Sequence, residues 1–301
     1  VIVSLSLTFV AVSFALPRVS PRDNPWTRAV ESLSPQTEAI FLGSSHVYCA
    51  IRPSEHANDV MTLAAPMFDY KWQERLVDLH LDRAPGTRVV VLEAGVVTLR
   101  TDTVQLYNGR NAILRDFGFD VPDASSRADE VVPMFLSSRF FRPIYYDSIR
   151  LTPNEHLAAF EIEAGYFPSR LRYDSSTAMK SLEMHIEETR EEHIAANYEA
   201  LARTIRKLLD RGVRVVLMRY PHHSFYRERC PPKWEEQLQA SLAALREEFG
   251  DDGFDFWNLR ASIRIDEDAK FRNVDHLNDL GTQELTRLIE PRLRELLDSP
   301  N

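Results

Sequence analysis

Cysteine is scarce in this chain. Only Cys49 and Cys230 occur among 301 residues, and no C-x-x-C pair is present. Neither a zinc ribbon nor a disulfide framework is signalled. A single Cys49–Cys230 bridge would require an oxidising compartment, and two buried thiols are the alternative. Long runs of lysine or arginine are also missing. The formal net charge is -9 and the pI about 5.5, a balance that excludes a general nucleic-acid binder. No internal repeat and no low-complexity tract is found. What is present is an ordinary globular composition, 44% hydrophobic and 27% charged, able to supply a substantial core for one large domain or two small ones.

The first 16 residues, Val1 to Leu16, are apolar and uncharged. That is slightly short of the roughly 20 needed to span a bilayer. Arg18 and Arg22 follow, then a polar linker. The expectation is a membrane anchor or uncleaved signal over 1–20, its start truncated because no basic region precedes Val1. A buried element of the domain is the alternative. An extracytoplasmic or periplasmic, membrane-anchored location follows from the first reading.

Beyond the linker, buried strands alternate with amphipathic helices. Short apolar runs predict strands at 39–42, 60–65, 88–93, 213–220 and 254–257. Helical spacing covers 29–34, 68–81, one long helix over 182–211 ending at Gly212, 234–249 and 281–297. This alternation predicts a doubly wound, three-layer α/β domain with a parallel, flavodoxin-like sheet over 35–299. The stretch 98–181 breaks the rhythm with prolines and aromatic clusters and reads as an irregular insertion.

Chemistry concentrates in two blocks. The first is Phe41-Leu42-Gly43-Ser44-Ser45-His46, where a buried strand ends in a glycine and two hydroxyls. Glycine there permits a positive φ or close packing, and the serines stand at the carboxyl end of the strand, where open α/β sheets bind ligands. A helix N-cap is the plainer role for either serine. The second block, Asn273-Val274-Asp275-His276-Leu277-Asn278, follows the last strand and therefore reaches the same edge. A serine needs an imidazole to accept its proton, and the imidazole needs an acceptor on its other nitrogen. Asn273 and Asp275 are both placed to supply that acceptor. His46, Glu93, Gly95 and His222 fall at the same edge as candidate pocket residues. Tyr226 is a further candidate substrate contact. The pair His222-His223 has no third ligand at metal spacing, so no metal and no cofactor is expected.

The two blocks resemble the SGNH (GDSL-like) hydrolase superfamily, over roughly 40–95 and 197–281. The resemblance implies Ser45 as nucleophile, His276 as base, and Gly43 and Ser44 in the first block, Ser44 standing where aspartate is usual. Leu277, Asn278 and Gly281 fit the downstream pattern. Counting D-x-x-H back from His276 lands on Asn273, with Asp275 adjacent to the histidine instead, and both remain candidates to orient it. No G-x-N-D block for an oxyanion hole is found; the backbone N–H of Ser45 is a donor in any case. The resemblance is nearest to bacterial cell-envelope members with an N-terminal membrane segment. It implies a serine esterase or O-acyltransferase acting on an acylated glycan or a small ester. A catalytically degenerate scaffold protein of the same fold is the alternative.

Overall fold

The computed structural model describes residues 25–103 and 172–299. The elements in chain order are α1 (Pro25–Glu31), β1 (Ala39–Gly43), α2 (Ser45–Ala50), β2 (Val60–Ala64), α3 (Tyr70–His80), β3 (Val89–Glu93) and α4 (Val96–Arg100). After the break follow α5 (Ser175–Glu188), α6 (Ile194–Asp210), β4 (Arg214–Arg219), α7 (Ser224–Arg229), α8 (Pro232–Phe249), β5 (Asp255–Asn258), α9 (Glu267–Lys270) and α10 (Asp279–Asp298). All strand pairs are parallel, in the order β2-β1-β3-β4-β5. The order reverses between β1 and β3, which makes their carboxyl ends the switch point where such sheets open a crevice.

Strands β1 to β4 are buried on both faces, so they read as continuous apolar runs; the edge strand β5 is exposed at Asp255 and Asn258. Successive residues still point to opposite layers. Ile40, Leu42, Val90, Leu92, Val215 and Leu217 pack with α1, α3, α4, α6 and α8. Phe41, Val89, Val91, Val216 and Met218 pack instead with α2 and α10. The α/β three-layer expectation is therefore met, with a thick helical layer on one side and a thin one on the other.

Helix ends follow local chemistry. Asp69 caps α3 by accepting from Trp72 N at 3.1 Å. Asn278 caps α10 by accepting from the N–H of Leu280 and Gly281 at 3.0 and 3.2 Å. Its own amide donates to Ala269 O at 2.8 Å. A side chain at Gly281 would meet Lys270 O at 2.2 Å, so only glycine lets α10 approach the preceding loop. The Asn278 and Gly281 positions of the second block are thus fixed by how α10 starts.

One expected helix is corrected. The stretch 182–211 is two helices, α5 and α6, joined by a 3₁₀ turn at Glu191–His193. The chain leaves helical geometry at Thr189, which is extended at φ -107° and ψ 146°. The apolar period alone did not mark this break, because buried residues continue on both sides. Asn197 on α6 donates from Nδ2 to Leu99 O and Thr101 O at 3.0 and 2.7 Å, tying α6 to the end of α4. The ends of the expected insertion also change: Thr98–Arg100 belong to α4 and Ser175–Ser181 to α5. The remainder of that insertion, and the apolar segment 1–20, lie outside the described residues. Among the described residues no helix is long and apolar enough to cross a membrane. Both cysteines are free thiols, and burial raises each to about 11.

Candidate active site

Four elements deliver the polar side chains to one place. β1 ends at Gly43, where a Cβ would meet Val47 Cγ2 at 2.3 Å and Glu93 Oε2 at 2.7 Å. The glycine serves close packing, which lets the Glu93 carboxylate press against the β1–α2 turn. Ser44 follows in extended conformation as the N-cap of α2. Its N–H donates to Glu93 Oε2 at 2.6 Å and its Oγ accepts from His46 N at 3.4 Å. Glu93 is the last residue of β3, next to β1 in the sheet. Asp275 and His276 come from the loop between α9 and α10.

His46 sits between two carboxylates. Its Nδ1 lies 2.8 Å from Glu93 Oε1 and its Nε2 3.2 Å from Asp275 Oδ2. All three side chains are buried. Burial disfavours the charged ring, but Glu93 and Asp275 outweigh that cost and raise His46 from 6.5 to about 10. Both ring nitrogens therefore carry protons at neutral pH. Burial likewise opposes the charge of each carboxylate. His46 nonetheless holds Glu93 below its ordinary range. His276, His185 and the His46 hydrogen bond hold Asp275 well below its own.

Asp275 is the hub. Its Oδ2 also lies 3.4 Å from His185 Nε2, and its Oδ1 3.1 Å from His276 Nδ1. His185 on α5 has its other nitrogen 3.0 Å from Tyr226 Oη, and burial lowers it to about 4. It is neutral at pH 7. Nothing in the sequence pattern singled out His185, since it lies within a stretch read only as helix. Its signal was a histidine on the buried stripe that includes Ala178, Ser181 and Leu182.

His276 is held differently. Asn273 Oδ1 accepts from His276 N at 2.8 Å, from Asp275 N at 3.3 Å and from His276 Nδ1 at 3.1 Å. The asparagine folds the loop around its own side chain and fixes the ring with Nδ1 as donor. Nε2 of His276 makes no hydrogen bond among the described residues, and the side chain is 14% exposed. Burial lowers its pKa, Asp275 raises it, and the charged His46 lowers it again; the net shift is below 6.5. Its ring stacks on His46 with centroids 4.9 Å apart and 19° between planes.

Ser44 and Ser45 have separate environments. Ser44 is buried, and its Oγ lies 3.1 Å from His46 Nδ1. A ring already protonated on both nitrogens cannot take a proton from it. Ser45 is half-buried, and neither its hydroxyl nor its N–H has a hydrogen-bond partner among the described residues. No hydrogen bond joins Ser45 to His276 there. Gly95 precedes α4 as its N-cap residue. His222 packs at the outer side of the cluster, its ring 5.5 Å from His46 and 4.8 Å from Tyr226. Its Nδ1 is enclosed without a partner among the described residues, and burial, then the His46 charge, keep it well below 6.5.

His46, Asp275 and His276 bring donor atoms within 4.8 Å of one another, the spacing of a metal site. The rest of the geometry does not fit an ion. Lone pairs lie in the imidazole plane, and two nearly parallel stacked rings cannot aim both at one point between them. The hydrogen bonds of His46 to Glu93 and Asp275 already use both of its nitrogens.

No family model and no curated protein matches the chain. Several solved structures are similar to it. One is a protein provisionally assigned as an acylhydrolase from Bacteroides fragilis, 11% identical, with TM-score 0.43 over 94% of this chain and 97% of the other. Another is provisionally assigned as a platelet activating factor from Streptococcus pneumoniae, 10% identical, with TM-score 0.43 over 96% and 99%. A third is a GDSL-like lipase from Bacteroides thetaiotaomicron, 9% identical, with TM-score 0.44 over 91% and 98%.

Proposed function

We propose that this chain is a serine-dependent ester hydrolase or O-acyltransferase in which Ser45 is the nucleophile and His276 the general base. The observation that carries the reading is the state of His276. It is hydrogen-bonded at Nδ1 to Asn273, has Asp275 Oδ1 at 3.1 Å and is open at Nε2, and burial lowers its pKa from the ordinary 6.5. That is the arrangement a base needs toward a serine hydroxyl. Ser45 stands one residue before His46, whose ring stacks on His276, and its hydroxyl is uncommitted.

In the first half-reaction the Ser45 O–H proton passes to His276 Nε2 as Oγ bonds to the ester carbonyl carbon. The tetrahedral oxyanion is met by the Ser45 N–H at the start of α2. Asp275 stabilises the imidazolium, and Asn273 keeps the ring aligned. The C–O bond to the alcohol then breaks, and the alcohol leaves with the proton from His276. Water, or a hydroxyl of an acceptor, attacks the acyl-enzyme in the same way and restores Ser45.

The acyl ester is proposed to belong to an envelope glycan, with the chain tethered through its apolar N-terminal run. Support for this part is the sequence alone: the uncharged stretch 1–16 and the resemblance of the two blocks. A non-catalytic scaffold is the second reading, favoured by the missing Ser45–His276 hydrogen bond. The test is labelling of the full chain with a fluorophosphonate, followed by mass identification of the adduct. Labelling at Ser45 that Ser45→Ala abolishes, together with loss of short-chain ester hydrolysis, is the expected result. Equal labelling of Ser45→Ala, or an adduct on another serine, sinks the assignment.

A further inference from the structure

The carboxyl edge of the sheet has a second polar region that the serine–histidine cluster does not use. Arg219 ends β4 and Asn258 ends β5. With Arg227 of α7 and Arg260 and Arg264 from the loop after β5, they line a cleft of about 380 Å³. Among the described residues, two carboxylates serve three of the four guanidinium groups. Glu235 takes Arg219 in a two-pronged pair at 2.7 and 2.6 Å and stands 3.2 Å from Arg260. Glu267 pairs with Arg227 at 2.8 Å. Arg264 is exposed; its Nε donates to Ala261 O at 2.8 Å, and it has no ion-pair partner among the described residues.

Arg260 is short of acceptors. Its Nη2 donates to Arg227 O at 3.2 Å, but its Nε is enclosed with no partner among the described residues. Leaving a buried charged donor unmet is costly, and four guanidinium groups against two carboxylates leave positive charge in excess at the cleft. The cleft is also joined to the cluster. His222 N donates to Arg260 O at 3.1 Å, and the Arg227 guanidinium donates to His222 O. The His222 ring stands 5.5 Å from His46.

We propose that this cleft is a subsite for an anionic group of the acylated substrate, a carboxylate or a phosphate, held chiefly by Arg264 and Arg260. The inference rests on the neighbouring site being an ester hydrolase and adds the chemical class of its substrate. Guanidinium forks match the planar oxygens of both anions. An acidic glycan and a phosphate-bearing polymer are the two sources of such a group.

The test is calorimetric titration of the full chain, once with inorganic phosphate and once with a short oligogalacturonate. Saturable binding of either is expected, weakened about ten-fold in Arg264→Gln and reduced by added salt. Thermal melting of the variant checks that the fold is kept, since the lost bond is one exposed contact to a backbone carbonyl. Binding of phosphate alone assigns the phosphate source, and binding of the uronate alone assigns the acidic glycan. No binding of either to the parent overturns the proposal, as does unchanged affinity in both Arg264→Gln and Arg260→Gln. Fluorophosphonate labelling run in parallel separates the two levels. Labelling without anion binding removes the subsite alone, whereas binding without labelling keeps an anion site and removes the hydrolase reading.

Discussion

Two imidazoles of the same cluster, stacked face to face, are shifted in opposite directions. His46 has a carboxylate at each nitrogen and is raised to about 10. His276 has an amide oxygen in hydrogen-bonding line, shares Asp275 with two other histidines, and is lowered. Burial acts against the charge on both rings. The number of carboxylates committed to each ring decides the outcome. The inner wall of the site is thus an ionic lock joining α2, β3 and the α9–α10 loop, and the mouth holds the ring with the lowered pKa, the one that can do work.

The comparison is broken most severely at the mouth. His276→Ala is expected to lower kcat for a short-chain ester about a thousand-fold or more with little change in melting temperature. His46→Ala should show the reverse emphasis, with a large loss of stability. Kinetics and thermal melts of the two variants side by side check this, and equal profiles would dissolve the division between wall and mouth.

The lock comes next. Glu93→Gln leaves a charged His46 with one carboxylate in a buried site, a change expected to cost about 3–5 kcal/mol. Urea unfolding measures it, and a loss under about 1 kcal/mol would mean the lock contributes no more than a surface pair.

The pH dependence sharpens the contrast. For His46 the folded pKa, about 10, exceeds the ordinary 6.5. Its stabilisation is complete below pH 6.5 and is lost as pH rises through about 10. For Asp275 the folded value is depressed below 3.8, so its contribution is present above that value and is lost as pH falls into the acid range. Activity requires neutral His276, so kcat/KM should rise with an acid limb below pH 6.5. Asn273→Asp adds a carboxylate beside the ring and should move that limb upward. A limb unmoved by this change would show that Asn273 does not face the titrating ring.

The smallest effect is expected at Ser44. Ser44→Ala removes the α2 cap and should cost about 1 kcal/mol, with fluorophosphonate labelling intact. Loss of labelling there would move the nucleophile one residue back.

Much of this fold was legible because parallel strands buried on both faces must be apolar without interruption. The runs at 39–42, 60–65, 88–93 and 213–220 contain the observed β1 to β4 to within a residue or two. The break at Thr189 was not legible, since a helix and a helical pair of the same face carry one period. In the site, the two blocks were marked by Gly43, which close packing against Val47 and Glu93 demands, and by the Asn278–Gly281 helix start. Glu93 was visible only as a carboxylate ending an apolar strand, and His185 not at all.

By itself the sequence determined that a parallel sheet forms and that hydroxyls and imidazoles gather along its carboxyl edge, because periodicity and capping are local properties written in neighbouring residues. Which histidine carries a charge was decided by tertiary structure alone. Protonation depends on how many carboxylates from β3 and the α9–α10 loop come within about 3 Å of each ring, and that number exists only once segments some 50 and 230 residues apart have closed on one another.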